Sequence, residues 1–248
     1  MKHTLMLFAV LGYALSGLVS AEQISVAVAS NFQPAMKEIA DQFETATGHD
    51  VVLSPGSSGK LYAQIVNGAP FHVFFSADRQ KPLALVQQGL GVPETLFTYA
   101  VGKLVLWTPE SGVDVQSVLR ASQYKTLALA NPRLAPYGLA AMDVLEALEP
   151  AGPNEQQRWV TGENIAQTWH FVSTGNANLG FVAMSQLLDN NVDAGSVWVV
   201  PQALYEPILQ DAIVITHNRA VAEFMDFVKG EEGREIITSF GYEVEQIR

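Results

Sequence analysis

Four short stretches carry residues with chemistry to offer. The first is LSPGSSGKL, in which Gly56, Ser57, Ser58, Gly59 and Lys60 separate an apolar run from a helical pattern. Small residues, two hydroxyls and a lysine at a helix start are the makings of a phosphate loop. A nucleotide-binding P-loop needs glycine, four residues, then Gly-Lys-Ser/Thr. Counted back from Gly59-Lys60, the leading position is Ser54, and position 61 is Leu, so the hydroxyl for Mg²⁺ is missing. Nucleotide binding is therefore rejected. What survives is a helix N-terminus, whose free backbone N–H groups and positive dipole end favour an anion. The plainer reading is that Ser57 and Ser58 only cap their helix.

The other three stretches repeat the theme. AVASNFQPAM puts Ser30 and Asn31 between a strand and a helix, and NPRLAPYGLAAM puts Tyr137 and Gly138 at another helix start. TGENIAQTW places Asn164 and Ile165 at a fourth, where Ile165 can offer only its backbone N–H. Each has an ordinary alternative: an Asn or Ser cap, or a tyrosine packed with its hydroxyl at the surface. Two parallel strands side by side would bring the turns holding Ser30, Asn31 and Ser58 to one sheet edge, so the joint pattern outweighs any single turn. Other candidates fare worse. Asp78 in FFSADR reads as a helix cap. His49, His72, His170 and His217 lack metal-ligand spacing. Gly-x-Ser-x-Gly does not occur, and Trp107, Trp159, Trp169 and Trp198 read as core.

The elements that must position these residues follow a rhythm. ISVAVAS, DVVLS and HVFFSA read as strands, separated by helices over QPAMKEIADQFETATG and SGKLYAQIVNG and followed by one over DRQKPLALVQQG. Pro34 suits the first turn of the first helix and Gly48 its end. Such alternation predicts an α/β fold of parallel strands covered by helices, with ligands at the carboxyl ends of the strands. TYAVGKLVLWTP is then long and extended with no helix after it. A second region follows: strand TLALANP, helices YGLAAMDVLEAL, NEQQRWVTG and NIAQTWHFVST, and strands LGFVAM and SVWVVP. YEPILQDAIVIT is a second long extended segment, succeeded by helices RAVAEFMDFVKG and EEGREIITSFG. Two extended segments bracketing the middle predict two lobes joined by two hinge crossings. The expected division is residues 22–99 with 213–248 for a discontinuous first lobe, and 100–212 for the second.

The 248 residues are 48% apolar, enough for two cores. Residues 1–21 differ in kind: Lys2 and His3, the apolar run LMLFAVLGYALSGLV, then Val19, Ser20 and Ala21. This is a signal-peptide pattern with cleavage expected after Ala21. The run falls short of the ~20 apolar residues of a spanning helix. A soluble periplasmic protein, monomeric by default, is the expectation. The absence of cysteine excludes disulfides and thiolate chemistry. Without residues 1–21 the chain carries 13 basic and 25 acidic residues, a balance that repels nucleic acid and anionic lipid. Any anion site must therefore work through short-range donors.

Several of these stretches carry a family resemblance. VAVASNF, GSSGKL with GAP and VFFSAD after it, NP with APYG, and GENIAQT with TGNA, LGFVA and SQ together resemble the periplasmic molybdate-binding proteins of ABC transporters. The resemblance runs in order over nearly the whole chain beyond residue 21. It implies two mixed, mostly parallel α/β lobes of a type II periplasmic binding protein, closing on a tetrahedral oxyanion held by neutral donors. By motif position, Ser30 and Ser58 would give hydroxyls and backbone N–H groups, with Asn31 beside them. Tyr137 and Ile165 would donate from the second lobe. One departure is Ala183, which stands where many members carry a tyrosine. The implied ligand is molybdate or tungstate, the implied partner a membrane permease. No cofactor is expected, and molybdenum would enter only as the bound oxyanion, without direct protein ligands. Sulfate or another oxyanion on the same fold is the alternative. A periplasmic serine-dependent enzyme using Ser30 or Ser58 is the third, with Lys60 the one nearby candidate for its base.

Overall fold

The computed structural model describes residues 21–149, 158–190 and 195–244. The expected signal segment lies outside the described residues up to Ala21. Strands β1 (Gln23–Ala29), β2 (Asp50–Gly56) and β3 (Val73–Phe75) alternate with helices α1 (Gln33–Thr47), α2 (Ser58–Val66) and α3 (Gln80–Gln87). In α1, Ala35, Met36, Ile39, Ala40 and Phe43 recur at helical spacing and are all buried. Pro34 sits in its first turn, and Gly48, at φ 76°, ends it in the left-handed conformation that glycine adopts without strain.

After a 3₁₀ turn at Pro93–Thr95 come β4 (Phe97–Gly102) and β5 (Leu104–Thr108). Then follow α4 (Val115–Arg120), β6 (Leu127–Ala130), α5 (Pro136–Leu148), β7 (Trp159–Gly162), α6 (Ile165–Ser173), β8 (Leu179–Ala183), α7 (Met184–Asp189) and β9 (Ser196–Val199). The described chain closes with β10 (Ile208–Val214), α8 (Arg219–Lys229) and α9 (Glu231–Ser239).

These strands form two five-stranded sheets, ordered β2-β1-β3-β10-β4 and β7-β6-β8-β5-β9. Each is mixed. β1 runs parallel to β2 and β3, and β6 parallel to β7 and β8. β10 is antiparallel to β3 and β4, and β5 antiparallel to β8 and β9. Each sheet has its own core. Phe32, Phe43, Phe75, Tyr99 and Phe224 interlock in the first, with Phe32 and Tyr99 ring centroids 4.5 Å apart. Leu104, Leu106, Leu129, Val144 and Phe181 fill the second. The C-terminal helices α8 and α9 pack on α1, so the first lobe is built from both ends of the chain.

The extended segment TYAVGKLVLWTP is two strands with Lys103 between them, and each belongs to a different sheet. The return crossing lies between β9 and β10. The two crossings touch: Val200 N–H donates to Leu104 O (3.1 Å) and Leu104 N–H to the Tyr205 hydroxyl (3.2 Å). The expected lobe limits at 99/100 and 212/213 fall inside β4 and β10, and both strands belong entirely to the first sheet.

One expected element is different in kind. The sequence predicts a helix over NEQQRWVTG, but Trp159–Gly162 is a strand in parallel register with β6, pairing Leu127 with Trp159 and Ala130 with Gly162. Its first residues, 154–157, lie outside the described residues. Aromatic and β-branched residues suit a pleated edge, and an unpaired edge of β6 was there to receive them. Helices α4 and α7 were not anticipated.

Candidate functional site

The register of the parallel strands decides what converges. Ala29 pairs with Gly56, so the turns after β1 and β2 leave the first sheet at one edge. Val28 pairs with Phe75, which brings Ser76 and Ala77 to the same edge. In the second sheet Ala130 pairs with Gly162, so the turns leading to α5 and α6 leave together. The two edges face each other. Between them is a small pocket of about 10 Å³ lined by Ser30, Asn31, Ser58, Tyr137 and Ile165, all five of the expected residues. They are buried, at 8%, 1%, 1%, 1% and 2% exposure.

Each donor has a distinct local origin. The two serines of the GSSG turn divide the work. Ser57 is the N-cap of α2, its hydroxyl accepting from Lys60 N–H. Ser58 caps nothing; its Oγ accepts from Ala77 N–H at 2.9 Å, which leaves the hydroxyl proton to point elsewhere. Ser30 has its own N–H bonded to Gly56 O at 2.9 Å, so it can offer the hydroxyl but not the main-chain donor expected of it. Asn164 caps α6 through Gln167 N–H (2.9 Å). Ile165, Ser58 and Tyr137 stand in the first turn of α6, α2 and α5, where N–H groups have no intrahelical acceptor. The N–H of Asn31 also lacks an acceptor among the described residues. Three helix N-termini thus meet at one point, and every residue lining the pocket is uncharged.

The Asn31 side chain faces away from this task. Its Nδ2 donates to Gln210 Oε1 (2.8 Å) and to the Tyr242 hydroxyl (3.0 Å), and Tyr242 donates back to Asn31 O (2.7 Å). Gln210 Oε1 also accepts from Tyr99, and its Nε2 donates to the Tyr137 hydroxyl at 3.3 Å. Tyr137 is therefore buried at its hydroxyl end, on the crossing strand; a Cβ on Gly102 would stand 2.2 Å from that oxygen. Burial first, then the neighbouring phenols, holds Tyr99 and Tyr137 well above the ordinary tyrosine range, and burial does the same for Tyr242. All three stay protonated hydrogen-bond donors.

Contacts from lobe to lobe seal the lip. Gly59 N–H donates to Leu134 O at 2.9 Å, and Lys60 Nζ pairs with Glu163 at 3.0 Å. Both charges are about half exposed, and Lys60 does not line the pocket. Asp78 accepts from Lys81 N–H at 2.9 Å, tying down the first turn of α3. Trp107 and Trp169 stack at 4.2 Å within a core. Ala183 is fully buried, and its N–H donates to Gln186 Oε1 (2.9 Å). Gln210, Tyr242 and Tyr99 are polar residues around the site that the sequence does not single out, and Ser185 and Gln186 are the SQ of the resemblance, which assigns them no role. Gln210-Asp211, a polar pair inside the apolar run of β10, was the readable signal among them.

Residues 24–243 match the family described as bacterial extracellular solute-binding protein. The chain is 48% identical over 236 residues to the molybdate-binding protein ModA of Azotobacter vinelandii, with 92% of each chain covered. It is 43% identical over 246 residues to ModA of Rhodobacter capsulatus, covering 95% of this chain and 93% of that one. The solved structure of the Azotobacter vinelandii periplasmic molybdate-binding protein aligns with a TM-score of 0.85 at 43% identity, over 90% of this chain and 100% of the other.

Proposed function

The chain belongs to the bacterial extracellular solute-binding proteins, and from that premise we propose that it captures molybdate, and tungstate with it, in the periplasm and delivers the oxyanion to an ABC transporter permease. A pocket that offers hydrogen bonds from two lobes and no charge carries this reading. Ser30 and Ser58 supply hydroxyls; Asn31, Ser58, Tyr137 and Ile165 supply main-chain N–H groups at or beside helix N-termini. Fixed dipoles of this kind stabilise a dianion without a counter-ion.

Such a pocket also discriminates. A protonated oxyanion such as HPO₄²⁻ brings an O–H that needs an acceptor, and no carboxylate lines the pocket. An unpaired buried polar group costs about 1–3 kcal/mol, tenfold or more in affinity. Between fully deprotonated dianions, size must decide, so sulfate is the competitor to exclude. The protein acts by binding rather than by catalysis: a serine nucleophile needs a base within reach, and none of the pocket-lining residues is His, Lys, Asp or Glu. A signal peptide ending at Ala21 would export it, and a monomer suffices, since both donor sets come from one chain.

The test is calorimetric titration of the anion-free protein, begun at Glu22, with molybdate, tungstate, sulfate and phosphate in turn. Tight one-to-one binding of the first two, with sulfate and phosphate weak, is expected. Tight sulfate and silent molybdate would keep the site and change the transporter. Silence with all four would overturn the reading.

A further inference from the structure

Helix α7 touches both sides of the anion site through adjacent residues. Ser185 Oγ donates to Asn31 O at 3.0 Å, across the cleft, and lies 3.0 Å from the Tyr242 hydroxyl. Tyr242 in turn donates to that same Asn31 carbonyl at 2.7 Å. The next residue, Gln186, donates from Nε2 to Ile165 O at 3.0 Å while its Oε1 accepts from Ala183 N–H. Asn31 belongs to the first lobe and Ile165 to the second. Ser185, Gln186 and Tyr242 are all buried, at 2%, 5% and 3% exposure.

We propose that Ser185 and Gln186, with Tyr242 as the hydroxyl that meets Ser185 from the first lobe, are positioning residues for the oxyanion. One helical turn fixes the Ile165 donor on its own lobe and, on closure alone, docks on the Asn31 peptide of the other. None of the three lines the pocket, so each acts through a residue that does. Ser185 is the informative member. Its partners Asn31 and Tyr242 lie on the opposite lobe, and in this proposal its bonds to them form as the cleft shuts. Its loss therefore acts on the closed, anion-bound form and leaves the open form as it was. A hydroxyl bonded only within one lobe would weaken both forms alike.

This inference rests on the oxyanion reading, and the test separates the two. Stopped-flow tryptophan fluorescence, run on the anion that the wild-type protein binds most tightly among molybdate, tungstate, sulfate and phosphate, gives association and dissociation rates. Ser185→Ala is expected to raise the dissociation rate about tenfold, with the association rate and the anion-free melting temperature unchanged. Tyr242→Phe keeps the ring on Phe32, with centroids now 5.3 Å apart, and is expected to raise the same rate. The double variant is expected to lose less than the product of the two single effects, because the hydroxyls share one carbonyl. A wild-type dissociation rate in Ser185→Ala, or fully multiplicative effects in the double variant, would overturn the proposal while the oxyanion reading stood. A fall in the anion-free melting temperature that matches the affinity loss would reduce Ser185 to a structural residue. Should Ser185→Ala not fold, Tyr242→Phe reads the same tie from the other lobe. Failure of the wild type to bind any of the four anions would overturn the oxyanion reading and this inference with it.

Discussion

Ser57 and Ser58 are adjacent serines with different duties, one capping a helix and one held by Ala77 N–H with its proton to give. Ser58→Ala is expected to weaken molybdate binding by about 1–3 kcal/mol, as for a lost hydrogen bond to a charged group. Isothermal titration checks it, and unchanged affinity would remove the hydroxyl from the site. Asn31→Asp is expected to weaken binding further. It sets a negative charge beside the dianion and replaces the Nδ2 that serves Gln210 and Tyr242. Normal affinity in that variant would place the side chain's charge out of reach of the anion. The turns that bring Ser30, Asn31 and Ser58 to the pocket were legible because strand-to-helix turns announce themselves with small polar residues, whereas Tyr137 and Ile165 stood out through the family resemblance. Gln210 and Tyr242 were not legible. They meet Asn31 from 179 and 211 residues away, a contact with no local signature. Nor could sequence tell that Ser30 N–H is held by Gly56, because that depends on the register of β1 against β2.

At the scale of elements, long periodic segments were readable and short ones were not. Five buried apolar residues define α1, whereas α4 and α7 span six residues each, too few for a period to show. For α4 the start was nonetheless written in Asp114, which accepts from Ser117 N–H. Strand β7 departs from its expected helix because a four-residue edge strand owes its state to the neighbour it pairs with. Helix α2 permits an experiment in which two properties move in opposite directions. Gly59 lies in its first turn, and an added Cβ would come within 3.0 Å of Leu134 Cα on the other lobe. Gly59→Ala is expected to stabilise the anion-free protein by up to about 1 kcal/mol through helix propensity. The same methyl should prop the lip and weaken molybdate binding several-fold. Thermal melts without anion and titrations with it check the pair; tighter binding would show that Leu134 yields.

Taken as a whole, the molecule is an acidic body enclosing an anion site. Without residues 1–21 the excess is 25 acidic over 13 basic residues. Long-range repulsion should slow the approach of a dianion, and salt should relieve it, since the Debye length shrinks to about 10 Å at 0.1 M. The molybdate association rate is therefore expected to rise with sodium chloride, read by stopped-flow fluorescence. A rate that falls with salt would mean that a local positive field governs the approach. Each lobe's sheet is mixed because the chain crosses twice, and this arrangement also sets a calendar. Strand β10 lies between β3 and β4, so β4 has no partner in the first sheet until residues 208–214 have emerged. The described strands of the second sheet all fall between 104 and 199. A chain threading out of a ribosome or through a membrane pore from its N-terminus thus completes the second lobe while the first still waits. The half of the anion site that is written first is the last to be built.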